Sequence, residues 1–563
     1  MSALENLGKV ITTDVLIIGG GNGGLVAALK AKEENVDVLI VDKATIGYAG
    51  QAPRAGNGIA AVEPTEEKVD AFVEFVSRTI GDYLNDQALT KKVAEMSWPA
   101  VEQLAEWGVD GYKDENGKLR GVFMGNPWLH CGADLEMCLK LRKLATKQGV
   151  KFQNKTQISD LLTDGKKIIG AVGFNLETGE FYIFRAKAVI SSTAGCGYGL
   201  ARMFNGCGDG ATLAWRAGGE MRNCEFGNFQ DIVNPETAET HYLPTPFIKN
   251  ALGESIHEKY VKWNAPDITV KLVMGIEQEV REGRGPIWVD AIPALKSLSP
   301  NGEMPPSLDW LFLPKKIEYN AILHGRSAEM GVHFDPKPPV TMWTHANAGY
   351  IKVDHDMKST LEGLWAVGSD VHNGAAWLGA TTAPGFRGQG LMNATITGII
   401  GGTAAGKYAA VAELSDVDAA QVTEKKAELF AYMDRTDGVD PYAVIADVQK
   451  TVQPFRLFIR KDESRMKEAL GMLEEVKGKL DKMAASDPHM LGKCLEARSF
   501  ALHAELYYTA SLLRTESRGW HYREDYPERN DGEWAKWIVL YNEDGKIAHR
   551  FDPIPDISYT YKP

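Results

Sequence analysis

Cysteine is scarce in this chain, and its spacing does not suit a metal centre. The 563 residues include six cysteines, at Cys131, Cys138, Cys196, Cys207, Cys224 and Cys494. No two of them have the C-x-x-C spacing typical of iron–sulfur and structural zinc sites. We therefore predict that the chain binds no metal and that its thiols are buried and reduced.

Long apolar runs and excess positive charge are missing as well. No stretch is apolar over the roughly 20 residues that a transmembrane helix requires, and the N-terminal segment does not resemble a secretory signal. The formal net charge of -13 at pH 7 disfavours nucleic acid and anionic membranes as partners. The sequence thus predicts a cytoplasmic protein that neither inserts into a membrane nor binds nucleic acid.

The remaining composition is that of a folded protein with more than one structural unit. Hydrophobic residues make up 44% of the chain and charged residues 24%, as in ordinary globular proteins. A length of 563 residues exceeds what one hydrophobic core supports. We therefore expect roughly two to four structural units.

A glycine-rich turn near the N-terminus is the strongest functional signal. The apolar run Asp14-Val-Leu-Ile-Ile18 leads into Gly19, Gly21 and Gly24, which have the G-x-G-x-x-G spacing. In a dinucleotide-binding unit, the first glycine permits a tight turn and the second admits the pyrophosphate. The third lets the following helix pack closely against the strand. The segment therefore predicts dinucleotide binding rather than a plain strand-to-helix turn.

The pattern after these glycines is that of an alternating α/β fold. Residues 26–31 read as a helix and 36–41 as the second strand, so Asp42 stands where a carboxylate meets a ribose hydroxyl. Further strands are predicted at 168–174, 180–184, 186–192 and 361–367. Further helices are predicted at 211–217, 419–433 and 467–483. We expect a doubly wound sheet followed by a helical region.

Four later segments resemble the signatures of one flavoprotein superfamily. They are Ser192-Thr-Ala-Gly-Cys-Gly197, Gly208-Asp-Gly-Ala-Thr-Leu-Ala-Trp-Arg-Ala-Gly218, Glu362-Gly-Leu-Trp-Ala-Val-Gly368 and Thr515-Glu-Ser-Arg-Gly-Trp-His-Tyr-Arg-Glu-Asp-Tyr-Pro527. On these motifs the chain resembles the fumarate reductase, succinate dehydrogenase and L-aspartate oxidase flavoproteins. Within that superfamily, the α subunits of adenylylsulfate reductases are the most similar over 170–176, 281–287, 360–365 and 537–555.

The resemblance implies a fold and a division of the chain. The implied fold class is α/β, with an FAD-binding, doubly wound Rossmann-like core, an inserted α+β capping domain and a C-terminal helical domain. The expected boundaries are 1–240 and 343–410 for the FAD-binding domain, 241–342 for the cap, 411–525 for the helical domain and 526–563 for an aromatic tail. FAD would lie extended, with its ring between core and cap.

The resemblance also implies that FAD is held without a covalent bond, because Gln51 stands where succinate dehydrogenases carry the flavin-linking histidine. The residues expected to contact FAD are Gly19, Gly21, Asn22, Gly23, Gly24, Asp42, Lys43, Gln51, Ala52, Gly56, Asn57, Gly58, Thr193, Ala194, Gly195, Asp209, Gly368, Asp370, Gly390 and Leu391.

Three residues are predicted to act on the substrate. His345 aligns with a substrate-facing histidine of the superfamily and could donate a hydrogen bond to a substrate oxyanion. The fumarate branch also carries two arginines, a proton shuttle and a carboxylate clamp, and the clamp corresponds to Trp377 here. Arg387 and Arg284 are candidates to replace them. Alternatively, Arg387 could contact the flavin and Arg284 could tie the cap to the core.

The chain needs an outside partner for electrons, since it has neither a second G-x-G-x-x-G unit nor cluster cysteines. The resemblance implies an iron–sulfur, ferredoxin-like subunit. Aromatic residues concentrate at interfaces, so the aromatic tail from Trp520 onward is its predicted docking surface; alternatively, the tail packs against the chain's own helical domain. The leading hypothesis is an adenylylsulfate-reductase-α-like enzyme with two-electron chemistry on a small anionic substrate at flavin N5. The alternatives are a fumarate-reductase-type ene-reductase or dehydrogenase of a carboxylate, and a flavin electron-transfer subunit of a larger redox complex.

Overall fold

The structure is a computed structural model of the chain. It describes residues 3–48, 50–52, 58–109, 112–123, 127–132, 134, 136–200, 206–227, 231–233, 240–241, 248–260, 268–289, 339–343, 350–380, 388–453, 455–556 and 559–563. The strands are β1 (Lys9–Thr12), β2 (Val15–Ile18), β3 (Val38–Val41), β4 (Ile59–Ala61), β5 (Gly121–Phe123), β6 (Leu129–Cys131), β7 (Lys151–Gln153), β8 (Thr156–Thr163), β9 (Ile168–Asn175), β10 (Phe181–Arg185), β11 (Ala188–Ser191), β12 (Met221–Arg222), β13 (Asp231–Val233), β14 (Thr240–His241), β15 (Ile248–Lys249), β16 (Ile287–Val289), β17 (Pro339–Trp343), β18 (Leu364–Ala366), β19 (Arg460–Lys461), β20 (Tyr522–Arg523), β21 (Lys536–Glu543) and β22 (Lys546–Pro553).

The α-helices are α1 (Asn22–Lys32), α2 (Glu66–Phe75), α3 (Gln87–Glu106), α4 (Met137–Lys147), α5 (Asp209–Arg216), α6 (Ile256–Tyr260), α7 (Ile268–Arg281), α8 (Ala375–Leu378), α9 (Gln389–Val411), α10 (Ala419–Phe430), α11 (Pro441–Val452), α12 (Phe455–Phe458), α13 (Glu463–Leu480), α14 (Pro488–Leu513) and α15 (Asp531–Trp534). Among the helices that the structure describes, none combines the length and apolar character that crossing a bilayer requires.

A parallel sheet in the order β18-β11-β2-β3-β7 forms the centre of the molecule, as the predicted fold class requires. In register, Ile17 of β2 lies between Ile190 of β11 and Ile40 of β3. Every residue of β2 and β3 is apolar and buried, which is usual for strands inside an α/β sheet. The sheet therefore carries the core and presents its strand ends to the loops that follow.

Helices α1 and α9 pack side by side against this sheet because small residues line their contact. A Cβ at Gly402 of α9 would lie 2.4 Å from the carbonyl oxygen of Ala27 in α1. A Cβ at Gly398 would lie 2.8 Å from the Gly23 carbonyl oxygen. Only glycine permits backbones to approach this closely. The close packing brings the beginnings of the two helices to the same end of the sheet.

Other sheets and helices surround the centre. An antiparallel sheet joins β8, β9 and β10, with β1 added in parallel, and a second five-stranded sheet has the order β14-β13-β17-β16-β15. In the helical region, α13 begins earlier than periodicity predicts. The carboxylate of Asp462 accepts a hydrogen bond from Arg465 N at 2.8 Å, and this cap fixes the first turn.

The aromatic C-terminal segment packs inside the chain. Trp520, Trp534 and Trp537 are at most 5% exposed. The guanidinium of Arg222 lies 4.3 Å from the ring centre of Trp537, a cation–π contact between β12 and β21. These tryptophans are therefore core residues, whereas Tyr526 and Phe551 of the same tail are exposed.

Candidate functional site

Strand β2 ends directly at the glycine-rich turn. Gly19 has a φ of 104°, and a Cβ there would lie 2.1 Å from the Ser192 carbonyl oxygen. A Cβ at Gly24 would lie 2.0 Å from the Gly19 carbonyl oxygen, whereas one at Gly21 would meet no atom within 4 Å. The fold itself therefore requires Gly19 and Gly24, while Gly21 borders space that a ligand can use.

A cleft of about 350 Å³ lies beside this turn. The predicted cofactor residues that line it are Gly19, Gly21, Asn22, Gly23, Asp42, Lys43, Gln51, Ala52, Thr193, Ala194, Asp209, Gly368, Gly390 and Leu391. Four others are described but stand outside its lining: Gly24, Gly58, Gly195 and Asp370. Gly56 and Asn57 lie outside the described residues.

Some residues of the cleft wall belong to no recognised sequence motif. Thr156, Gln157 and Ile158 line it from the first residues of β8, and Glu496 lines it from α14. Cys207 completes this part of the wall. Only the fold brings these positions next to the glycine-rich turn, so reading consecutive residues could not have found them.

The carboxylate of Asp42 is held in place at the end of β3. Its Oδ2 accepts a hydrogen bond from Gly20 N, and its Oδ1 accepts one from Ala44 N, both at 2.6 Å. Each carboxylate oxygen has a further lone pair available. Asp42 is therefore fixed on the cleft wall as an acceptor, the chemistry that binding a ribose hydroxyl requires.

Lys43 lies in a partly buried ionic cluster that joins three parts of the chain. Its Nζ is 2.8 Å from Oδ2 of Asp209 and 3.4 Å from Oε1 of Glu496, whose other oxygen is 2.7 Å from Nζ of Lys493. Burial opposes the charge, but the two carboxylates hold the pKa of Lys43 well above its usual value. The ammonium group therefore stays charged on the cleft wall, and α14 is part of the site.

Asp370 supports the cleft from behind its lining. The carboxylate is 1% exposed and accepts hydrogen bonds from Ser191 Oγ at 2.5 Å, Thr193 N at 2.8 Å and Thr193 Oγ1 at 3.0 Å. Thr193 Oγ1 in turn accepts one from Gly210 N at 2.7 Å. Asp370 therefore joins the ends of β11 and β18 to the start of α5. It supports the residues of the cleft wall without lining the cleft itself.

The buried Asp370 should make stability depend on pH. Burial raises its pKa to about 6, above the ordinary 3.8, although the hydrogen bonds oppose this. Between pH 3.8 and about 6, the folded protein therefore holds a proton on Asp370 that the unfolded chain releases. The stability that this proton contributes is complete below pH 3.8 and is lost as the pH rises through 6. As the pH rises from 4 to 7, we expect the free energy of unfolding of Asp370→Asn to increase by about 3 kcal/mol relative to that of wild type. Thermal midpoints of both proteins across that range would show it, and a constant difference would contradict it.

Two buried polar atoms fit a polar ligand in the cleft. Asn22 Oδ1 and Gln51 Nε2 have no hydrogen-bond partner among the described residues, and both side chains belong to residues that line the cleft. Buried polar groups normally have partners. Together with the space at Gly21 and the beginning of α1, these atoms suit a pyrophosphate-containing cofactor such as FAD.

The predicted catalytic residues have different outcomes. His345 and Arg387 lie outside the described residues. Arg284 is neutralised within the predicted cap, where its Nη2 is 2.8 Å from Oε1 of Glu279 and its Nε also bonds that carboxylate. This pairing favours a structural role, and action of Arg284 on the substrate stays a prediction. Nearby, Arg281 links the predicted cap to the predicted helical domain, with its Nη1 2.8 Å from Oε1 of Glu524.

Trp377, which the resemblance aligns with the fumarate-branch clamp, is a core residue. It is 1% exposed, and its Nε1 donates a hydrogen bond to Asn393 Oδ1 at 3.1 Å. Asn393 Nδ2 donates one to the Gly368 carbonyl oxygen at 2.8 Å, and the Phe72 ring lies 6.4 Å from the indole. The indole is therefore fixed by packing and hydrogen bonding next to the Gly368 turn.

Two family models match the chain. The FAD binding domain matches residues 14–232, and the fumarate reductase flavoprotein C-terminal domain matches residues 446–562. A relative of similar length is one subunit of the fumarate reductase (CoM/CoB) of Methanothermobacter marburgensis. It is 25% identical over 94% of this chain and 96% of its own length. The matched regions include the glycine-rich turn, Asp42, Lys43 and Glu496.

Solved structures share the fold along nearly the whole chain. An E. coli quinol fumarate reductase has a TM-score of 0.83 at 20% identity, covering 99% of this chain and 98% of its own. Adenylylsulfate reductase from Archaeoglobus fulgidus has a TM-score of 0.76 at 21% identity, covering 98% and 97%. Both branches therefore share the fold, and the finer resemblance to adenylylsulfate reductase is not decided by it.

The family models and the relatives thus confirm the predicted superfamily and cofactor, and the parallel sheet and the solved structures confirm the predicted fold class. The chain belongs to the fumarate reductase and succinate dehydrogenase flavoprotein family, and it is an FAD-dependent oxidoreductase.

Proposed function

We propose that this chain is the flavin-carrying catalytic subunit of an oxidoreductase that acts on a small anionic substrate other than fumarate. The observation that carries the proposal is the buried Trp377, whose indole is bonded to Asn393. By resemblance, the fumarate branch has a carboxylate-clamping arginine at this position. An indole cannot supply the two parallel hydrogen bonds that a guanidinium gives a carboxylate.

The cleft residues would hold FAD without a covalent bond. Asp42 would accept hydrogen bonds from the ribose, and the backbone at Gly21 with the start of α1 would meet the pyrophosphate. Asn22 and Gln51 offer unpaired polar atoms for the same ligand. When bound, FAD supplies two-electron redox chemistry at its ring atom N5.

The substrate side is assigned to His345 and Arg387 by resemblance. His345 would donate a hydrogen bond or a proton to the substrate anion. Arg387 would supply the positive charge that Trp377 cannot provide. His345→Ala should retain the flavin spectrum and lose roughly 100-fold or more of the substrate-dependent reoxidation rate.

An iron–sulfur subunit is the proposed electron partner. The sequence has no second G-x-G-x-x-G unit and no cluster cysteines, so a partner that carries iron–sulfur clusters is the simplest route for electrons. The M. marburgensis relative is itself named as one subunit of its enzyme. Because Trp520, Trp534 and Trp537 are buried, only exposed side chains of the tail, such as Tyr526 and Phe551, would be available to this partner there.

A fumarate-type reductase is the second candidate. The relative named a fumarate reductase and the TM-score of 0.83 with the E. coli enzyme favour it. It would require another cation in place of the carboxylate-clamping arginine, because Trp377 stands at that position by resemblance. Arg387 is the candidate for that role.

Anaerobic spectroscopy of the purified protein tests the choice. We expect sulfite to bleach the flavin band, because an open site for small anions admits it, and we expect fumarate to leave the dithionite-reduced flavin unchanged. Rapid reoxidation by fumarate would overturn the proposal in favour of the fumarate-type enzyme. A flavin that responds to neither reagent would instead support an electron-transfer subunit.

A further inference from the structure

Cys196 and Cys207 face each other across an antiparallel bridge, and Cys207 lines the cleft. Gly197 follows Cys196 and Gly206 precedes Cys207, and Gly197 N donates a hydrogen bond of 2.8 Å to the Gly206 carbonyl oxygen. This pattern makes the two cysteines a non-hydrogen-bonded pair. In such a pair the Cα atoms are about 4.5 Å apart and the side chains point to the same face. A disulfide requires Cα atoms about 4.4–6.8 Å apart. The register therefore places two thiols where they can bond to each other.

The two cysteines differ in their access to the cleft. Cys207 lines it and is 6% exposed, whereas Cys196 is fully buried. The Cys207 thiol lies close to Lys43 and Glu496, two other residues of the wall. A reagent that enters the cleft therefore meets Cys207 first, with Cys196 positioned to react second.

We propose that Cys196 and Cys207 are a redox-sensitive dithiol. The pair forms a disulfide when the cleft is empty, and bound FAD protects it from oxidation. The oxidant is a low-molecular-weight disulfide. Cys207 attacks it and releases one small thiol, and Cys196 then attacks the mixed disulfide and releases the second. The two cysteines lose two electrons and two protons, and both appear on the released small thiols.

The environment explains why FAD should control the reaction. Burial raises the pKa of both thiols, so little thiolate forms. Because the thiols are buried, their oxidation also depends on an oxidant that enters through the cleft. FAD in the cleft would cover Cys207. In return, a disulfide would withdraw Cys207 from Lys43 and Glu496 and change the wall that binds FAD. Oxidation and FAD binding should therefore oppose each other, as linkage requires.

The test compares holoprotein with apoprotein from which FAD has been reversibly removed. Both are treated with oxidised glutathione, alkylated, digested and analysed by mass spectrometry. We expect a peptide pair linked through Cys196 and Cys207 in the apoprotein, protection in the holoprotein, and roughly tenfold weaker FAD binding after oxidation. Reduction should restore the affinity. The inference rests on the cleft being the FAD site, which the flavin spectrum and protein–FAD titration of the reduced protein test separately.

Variants separate this pair from the other buried cysteines. Cys207→Ser and Cys196→Ser should each prevent the linked peptide, whereas Cys494→Ser, in α14, should behave as wild type. Thermal midpoints would verify that each variant is folded. Absence of the disulfide in the oxidised apoprotein, or equal oxidation with and without FAD, would overturn the proposal.

Discussion

Replacing Gly21 with alanine should weaken FAD binding roughly 10- to 100-fold while leaving the apoprotein as stable as wild type. The Cβ would meet no protein atom within 4 Å, so the fold can accept it. The same methyl group would occupy space on the cleft wall where the pyrophosphate approaches the backbone. Titration of reconstituted apoprotein with FAD and its thermal midpoint without FAD measure the two effects separately.

Gly24→Ala is the matched comparison for this prediction. Its Cβ would lie 2.0 Å from the Gly19 carbonyl oxygen, so α1 would have to move away from β2. This variant should lose both stability and FAD binding. Gly478→Ala, in α13 with no atom within 4 Å of the new Cβ, should retain both and gain a little helix stability. An apoprotein destabilised equally by Gly21→Ala and Gly24→Ala would show that Gly21 serves the fold and not the ligand.

Arg514→Met should lower the free energy of unfolding by about 3–5 kcal/mol, a large fraction of the stability of a typical domain. Arg514 is fully buried, and its guanidinium donates to Glu225 Oε1 and Glu516 Oε1 at 2.9 Å each. It also donates to the carbonyl oxygens of Trp534 at 3.0 Å and Lys536 at 2.9 Å. Methionine fills similar space but leaves two buried carboxylates without this partner. Thermal and urea unfolding would measure the loss.

Two further variants test whether the charge network causes the loss. Arg529→Met removes a half-exposed arginine paired with Asp531 and should cost about 1 kcal/mol or less. Adding Glu225→Gln to Arg514→Met should recover part of the stability, because one buried charge then disappears with its partner. If the two Arg514 and Glu225 changes add independently, the explanation by an unpaired buried carboxylate is wrong.

The nucleotide end of the site could be predicted because local rules determine it. The glycine spacing, the helix at 26–31 and the strand at 36–41 correspond to α1 and β3, which begin and end within a few residues of these ranges. Strands predicted at 168–174 and 180–184 correspond to β9 and β10. Apolar runs and glycine stops operate over a few residues, so the sequence alone shows them. The individual FAD contacts remain predictions.

The parts that could not be predicted depend on contacts between distant residues. Helix α14 is buried on nearly all sides, so it lacks the one-sided apolar stripe that reveals an amphipathic helix. Its Glu496 therefore gave no signal as a cleft residue. The facing of Cys196 and Cys207 depends on the register of one isolated bridge, which spacing does not encode. Similarly, Arg284 looked available only because its partner Glu279 could not be recognised from the sequence.

The position of α14 also determines when this protein can acquire its cofactor. Besides Glu496, this helix supplies Ser499, whose hydroxyl bonds the Cys207 carbonyl oxygen at 2.5 Å, and His503, whose ring lies 3.0 Å from the Gly208 carbonyl oxygen. A ribosome makes the glycine-rich turn long before this helix, and domains can fold during synthesis. The nascent chain must therefore carry an unfinished cleft until α14 has been made. In the proposed FAD site, capture of the cofactor then has to wait for this helix.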